Sequence, residues 1–359
     1  MSFERAVDSS EVPLAPRMLL VIALCMTAWL AWAAATASDV VGGEPLHIVG
    51  LCITGQLGRV EVQTKVDMVL KHAASLNHVV DVVLALQNSS KPLFVNSEAV
   101  EKVLKSQNAT VYQPPVDVMA QRGLQTYSRY YRESFVESMS DTLLNNDYVR
   151  HLDKPEMNIT RRVGRARSHI AQWHHMSRCW KEFEMLEYEH QFRYDSFVRL
   201  RDDAYVLAPM DLSTVVSLSE GREDQVIVVP HCEAWKKDGI NDKAALVSRA
   251  AAHNYFVSPI DYFYLRWESI KSQHMTGTIS PERFIAWCYA ETGIRIVKST
   301  QAVPIMTSMF IPRTLVDKER YGMRVHPPLK PTAPNCTAQC YYEALPHLRT
   351  KIESTLCVT

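Results

Sequence analysis

Short continuous apolar runs alternate along the chain with longer segments in which apolar residues recur every three or four positions. PLHIVGLCITG, ending at Gly55, belongs to the first kind, and a run of that length bounded by glycine suits a strand buried on both faces of a parallel sheet. VEVQTKVDMVLKHAASL places Val62, Val66, Val69, Ala73 and Leu76 at helical spacing, and VVDVVLAL, residues 79–86, returns to the strand pattern. Strand, helix, strand is the βαβ unit of an α/β fold. From Arg161 to His190, the residues Ile170, Trp173, Met176, Trp180, Phe183 and Leu186 form the stripe of a long amphipathic helix packed on a core. That helix feeds YDSFVRLRDDAYV, a strand whose carboxyl end carries Arg199, Arg201, Asp202 and Asp203. QVIVVPH (225–231) predicts a further strand, NDKAALVSRAAAHNYF a helix with Asn241 or Asp242 near its start, and SPERFIAWCYAETG a helix opened by Ser-Pro-Glu. Between residues 87 and 160 a helix capped by Asn96 and Ser97, then a break at Pro114 and Pro115, are expected.

The amino-terminal pattern is different. Residues 18–37, MLLVIALCMTAWLAWAAATA, are an uncharged run of 20 residues, which at helical rise spans roughly the 30 Å of a bilayer core. Arg5 and Arg17 precede it and Asp39 and Glu44 follow it, an asymmetry that favours a cytoplasmic amino terminus. The organisation this predicts is a cytoplasmic tail (1–17), a transmembrane signal anchor (18–37), a short stem (38–45), a luminal domain (46–328) and a Pro- and Cys-containing tail (329–359). AAATA before Ser38 has small residues suited to cleavage, so secretion after signal removal is the alternative. Asn-x-Ser/Thr triplets at Asn88, Asn108, Asn158 and Asn335 all lie beyond the run, as luminal glycan acceptors would. Of eight cysteines, Cys25 falls in the run and seven remain, an odd number that leaves at least one unpaired under oxidising conditions. Cys336 and Cys340 suggest a disulfide-tied tail.

Composition narrows the function. The 359 residues are 47% hydrophobic and 22% charged, ordinary globular values, and 39 basic residues balance 39 acidic ones. Nothing in that balance favours nucleic acid. The glycine-rich phosphate loop, the Gly-x-Ser-x-Gly elbow and the His-Glu-x-x-His motif are all missing from the sequence. His231, Cys232, Cys336, Cys340 and His347 have no zinc-site spacing, and His174 and His175 occupy adjacent helix positions that cannot share a face.

The cluster RLRDD therefore carries the chemistry. In open α/β sheets ligands bind beyond the carboxyl ends of the strands, and charge buried there needs partners or a ligand. Mg²⁺ or Mn²⁺ takes oxygen ligands, commonly one or two carboxylates plus the oxygens of a substrate diphosphate. Asp203 is the expected direct ligand, with Asp202 as a second ligand or holding a ribose hydroxyl or a water. Arg199 and Arg201 share a strand face with Asp203 and can pair with it or with phosphate oxygens. A solvated ion cluster at a strand end is the plainer alternative.

RLRDDAYV, the preceding Glu184, Glu187 and Tyr194-Asp195, and the later GINDKAALVSR together resemble the divergent GT-A glycosyltransferases of the secretory pathway, and HIVGLCITGQLGR resembles their first strand and nucleotide-contacting loop. The likeness spans roughly residues 46–315. It implies a GT-A like, Rossmann-type, mostly parallel sheet flanked by helices, and transfer of a sugar from a nucleotide-diphosphate sugar to a glycan or protein acceptor in the Golgi or endoplasmic reticulum. It further implies donor contacts from Thr54, Gly55, Gln56, Arg59, Arg199, Arg201 and Asp202, a Mn²⁺ or Mg²⁺ ion on Asp203 and Asp202, and Asp242 as catalytic base. The chain departs from the strict Asp-x-Asp motif at Arg201, which leaves open whether the arginine takes part of the diphosphate charge. Two other classes stay open: a luminal glycoside hydrolase using paired carboxylates such as Asp203 and Asp242, and a catalytically silent binding domain on the same fold.

Overall fold

The computed structural model describes residues 47–56, 62–87, 116–136, 144–152, 158–219, 224–232, 239–275, 277–307, 340 and 343–348. The run at 18–37, Arg59, Asn88, Asn96, Ser97, Asn108, Pro114, Pro115, Asn335 and Cys336 lie outside these residues. Among the described residues no helix is long and apolar enough to cross a membrane.

Strand β1 (Ile48–Gln56) is followed by helix α1 (residues 63–75), β2 (Val79–Gln87), α2 (Val116–Tyr127), β3 (Tyr131–Val136), α3 (Asn146–His151) and the long α4 (Ile159–His190). The chain continues through β4 (Ser196–Arg201), β5 (Ala204–Val206), α5 (Thr214–Ser219), β6 (Val226–Val229), β7 (Ala244–Ser248), α6 (Ala252–Leu265), α7 (Trp267–His274), α8 (Pro281–Glu291), β8 (Arg295–Lys298) and β9 (Ile305–Thr307). Seven strands make one sheet in the order β3-β2-β1-β4-β7-β6-β8, and β5 pairs with β9 apart from it. Pairs β1–β2, β2–β3, β1–β4 and β6–β8 are parallel, whereas β7 runs antiparallel to both β4 and β6. The expected α/β sheet, mostly parallel and flanked by helices, is present.

β2, β6 and β7 are buried on both faces, which is why their sequences are nearly continuous apolar runs, whereas the edge strands β3 and β8 are partly exposed and carry charged residues. On one face Cys52, Val83, Phe197, Ile227, Val229, Ala245 and Val247 pack beneath α4, α6 and α8. On the other, Val49, Leu51, Ile53, Val198, Leu200, Val228 and Leu246 pack against α1 and α5. The whole predicted stripe of α4, from Ile170 to Leu186, lies in the first core, and Asn158 caps that helix by accepting from the Arg161 amide. Leu76, read as part of the α1 stripe, is instead exposed, because α1 ends at Ser75 and the chain turns at Asn77 with φ 58°.

One element differs from expectation. AALVS, read as the start of a helix, is strand β7, and its five buried positions sit in mid-sheet; the helix begins only at Ala252. The tail is tied by a disulfide, as Cys336 and Cys340 suggested: Cys340 is bonded to Cys232, their Cα atoms 5.8 Å apart, a separation suited to such a bond. A second disulfide joins Cys52 of β1 to Cys179 of α4 inside the core, and Cys288 is free and buried.

Candidate active site

β1 has β2 on one side and β4 on the other, so the chain leaves β1 in one direction for β2 and β3 and returns on the opposite side for β4. Such a reversal opens a crevice at the carboxyl ends of the two central strands. Thr54, Gly55 and Gln56 end β1 there, and Arg201, Asp202 and Asp203 end β4 beside them, with Thr54 in register with Arg201.

The turn after β4 is held from several sides. The Asp202 amide donates to the Thr54 carbonyl at 2.7 Å, and buried Lys65 of α1 donates through Nζ to the carbonyls of Ala204 at 2.6 Å and Asp202 at 3.4 Å. Asp202 is completely buried, and its Oδ1 accepts from the Asp203 amide at 2.9 Å. Its carboxylate lies against Gly55, where a Cβ would stand 2.2 Å from Asp202 Cγ, and Gly55 adopts φ +138°. Only glycine meets both the spatial and the conformational demand.

Arg201 organises the exposed side. Its Nε and Nη2 donate to Asp203 Oδ1 and Oδ2 at 2.9 and 2.8 Å, a fork-to-fork pair, while Nη1 lies 3.4 Å from each oxygen of Asp242. Gln172 of α4 donates to Asp242 Oδ2 at 2.8 Å. The antiparallel β4–β7 register delivers Asp242 here: Leu200 pairs with Ala244, and the Arg201 amide donates to the Lys243 carbonyl at 2.8 Å. Asn241 shapes the approach, accepting from the Lys243 amide and donating to the Cys232 carbonyl, which ties the segment to the Cys232–Cys340 disulfide. Beneath, Arg199 is buried, donating to Thr54 Oγ1 at 3.2 Å and to the Asp242 carbonyl.

Burial pushes the Asp242 carboxyl up, but the charge of Arg201, with Lys243, Arg199 and the Gln172 hydrogen bond, outweighs it and holds the group at about 2. A carboxylate so stabilised is a weak base. Glu282, in the first turn of α8, goes the other way: burial, then the negative charge of Asp242, raise it, and its Oε2 is buried with no hydrogen-bond partner among the described residues. Sequence reasoning missed Glu282 because Ser280-Pro281-Glu282 looked like a helix start, which it also is, Ser280 accepting from the Arg283 amide. Gln172 was missed as one polar position on a helix read only for its apolar stripe.

Of the expected donor contacts, Arg201, Asp202, Gly55 and Gln56 stand at the crevice, while Thr54 and Arg199 are internal and bonded to each other. Glu187 and Asp195 lie away from it, at the amino-terminal edge of the sheet: Glu187 accepts from the Tyr194 amide and Asp195 from the Ile48 amide. The expected Mn²⁺ or Mg²⁺ is not matched by the donor set. Both oxygens of Asp203 are engaged by Arg201, Asp202 is turned onto Gly55, and among the described residues no group of three or more His, Cys, Asp or Glu converges to hold a metal.

No protein-family model and no curated protein matches the chain. Among solved structures it is similar to mouse xyloside xylosyltransferase 1 in its apo form, with 10% identity, 71% of this chain and 86% of that one covered, and a TM-score of 0.35. It is also similar to the glycosyltransferase GlyE of Streptococcus pneumoniae TIGR4, with 10% identity, 70% of this chain covered and a TM-score of 0.32. The match spans 46% of the GlyE chain.

Proposed function

We propose that this chain is a glycosyltransferase that moves a sugar from a nucleotide-diphosphate sugar to a glycan or protein acceptor. The observation that carries the reading is the crevice between the carboxyl ends of β1 and β4, where an arginine is fixed by two carboxylates at the reversal of strand order. In the transfer, the bond between the anomeric carbon and the diphosphate oxygen breaks with its electrons passing to the diphosphate, and Arg201 faces that developing charge. The acceptor oxygen bonds to the anomeric carbon, and its proton needs a base. Asp242, the expected base, is too strongly stabilised as an anion by Arg201, so the raised Glu282 takes this role and Asp242 positions the arginine. No step is assigned to a divalent ion, because Asp203 and Asp202 are already engaged.

The reading also places the chain as a type II protein of the Golgi or endoplasmic reticulum, anchored through residues 18–37 with a catalytic domain at 46–328. The disulfides Cys52–Cys179 and Cys232–Cys340 support an oxidising lumen. A hydrolase built on Asp203 and Asp242 would need one of the two protonated, and Asp242 at about 2 and Asp203 in its arginine pair do not supply it. Binding without turnover is the second reading, favoured by the arginine that stands where an acid is expected.

The test is release of nucleoside diphosphate from a panel of nucleotide sugars, with and without glycan acceptors. Acceptor-dependent release with one donor, lost in Glu282→Gln, supports transfer. Binding of a nucleotide with no release from any donor selects the silent domain.

A further inference from the structure

Arg201 stands at the centre of the site's acids, its guanidinium bonded to both oxygens of Asp203 and 3.4 Å from both of Asp242. The contacts of Arg201 with Asp203 and Asp242 set position 201 between two carboxylates, so an acid there would have added a third and left a site that demands an external cation. With arginine there, four basic side chains (Lys65, Arg199, Arg201, Lys243) stand with three aspartates (Asp202, Asp203, Asp242) at the strand ends. Of the four, Arg201 is the one whose guanidinium is held between two of these carboxylates, without any ion. Arg201 also keeps donor capacity: Nε and Nη2 are spent on Asp203, but among the described residues Nη1 makes only the two long contacts to Asp242, and the side chain is 20% exposed. A diphosphate oxygen can shorten what those contacts leave long.

We infer that the site holds its nucleoside diphosphate without a divalent cation, the Arg201 guanidinium occupying the place and supplying the charge that the ion would. This rests on the glycosyltransferase reading and adds to it a mode of diphosphate recognition. Asp203 and Asp242 are then positioning residues, fixing the guanidinium from two sides so that little side-chain freedom is lost on binding.

The experiment is calorimetric titration of the full chain with the diphosphates of uridine, guanosine, cytidine and adenosine, in EDTA and again in Mn²⁺. A separate titration follows Mn²⁺ alone by electron paramagnetic resonance. Expected is one nucleotide bound with affinity equal within about twofold in the two buffers, since a tenfold change would already mark a real contribution from the ion. No protein-bound Mn²⁺ signal is expected without nucleotide. Arg201→Ala weakens binding by about 10- to 100-fold, the worth of charge-assisted hydrogen bonds, and Arg201→Asp makes the remaining binding Mn²⁺-dependent. Nucleotide bound only in Mn²⁺ overturns the inference and leaves the transferase reading standing. No nucleotide bound in either buffer overturns both. Should the Arg201 variants fail to fold, the wild-type comparison in EDTA and Mn²⁺ decides alone.

Discussion

The carboxylate of Asp202 lies against the backbone of Gly55, so near that a methyl group on Gly55 would stand 2.2 Å from its Cγ. The contact joins the last turn of β1 to the first turn after β4 and sets the floor of the crevice between them. Gly55→Ala must displace the buried Asp202 and strain a backbone at φ +138°, which costs about 1–3 kcal/mol, the range for overpacking and for local strain. A lower thermal midpoint together with weakened nucleotide binding is expected. A variant that keeps both would show that the crevice floor is not where it is placed here.

Asp242 is expected to stabilise the fold as an anion. Its folded value, about 2, lies below the ordinary 3.8, so the stabilisation is present above about pH 4 and is lost as pH falls toward 2. Asp242→Asn should lower stability by on the order of 1–3 kcal/mol at neutral pH, the cost of removing a charged partner from a buried hydrogen bond, and should flatten the acid limb of a stability-against-pH curve. Urea titrations of both proteins from pH 7 to 3 measure it.

Two buried histidines govern milder acid. Burial, assisted by nearby cationic groups, lowers His169 to about 3 and His175 to about 4 from the ordinary 6.5. Among the described residues His175 has no hydrogen-bond partner at either ring nitrogen, and His169 meets the Tyr148 hydroxyl at 2.9 Å through Nδ1. The unfolded chain takes up protons below pH 6.5 that the folded one refuses, so stability is full above that pH and falls beneath it, by on the order of 1 kcal/mol per pH unit for each histidine. His175→Gln should reduce the slope of the thermal midpoint between pH 6.5 and 4.5; an unchanged slope would remove His175 from the explanation.

Much of the architecture was legible because burial on both faces writes itself as continuous apolar runs, as in β1, β2, β4 and β6, and because α4 shows a single apolar stripe. β7 was not legible: AALVS passes into AAAHNYF with no glycine or proline between strand and helix, and alanine favours the helix. At the site, Arg201, Asp202 and Asp203 are neighbours in sequence and could be grouped at once. The pairing of Arg201 with Asp242 could not, because it depends on an antiparallel register between β4 and β7, nor could the Gly55 contact, which depends on β1 lying beside β4. Glu282 was hidden by a local role, since an acid in the first turn of a helix needs no further explanation.

The Cys52–Cys179 disulfide ties the central strand β1 to α4 across 127 residues of sequence. Replacing both with alanine is expected to cost about 2–5 kcal/mol, as for native disulfides that close long loops. Reductant should lower the midpoint of the wild type and leave the double variant's response to the Cys232–Cys340 bond alone. Equal midpoints for wild type and double variant in oxidising buffer would contradict a structural role for this bond.

The most direct measurement is hydrogen–deuterium exchange of the full chain with and without a saturating nucleoside diphosphate, read peptide by peptide. Bound at the crevice, the nucleotide slows exchange in peptides that cover residues 54–56, 199–203 and 239–243, while the amino-terminal strand edge around Ile48 and Asp195 is unchanged. Protection confined to another surface, or no protection with any nucleoside diphosphate, would contradict a nucleotide-sugar site between β1 and β4.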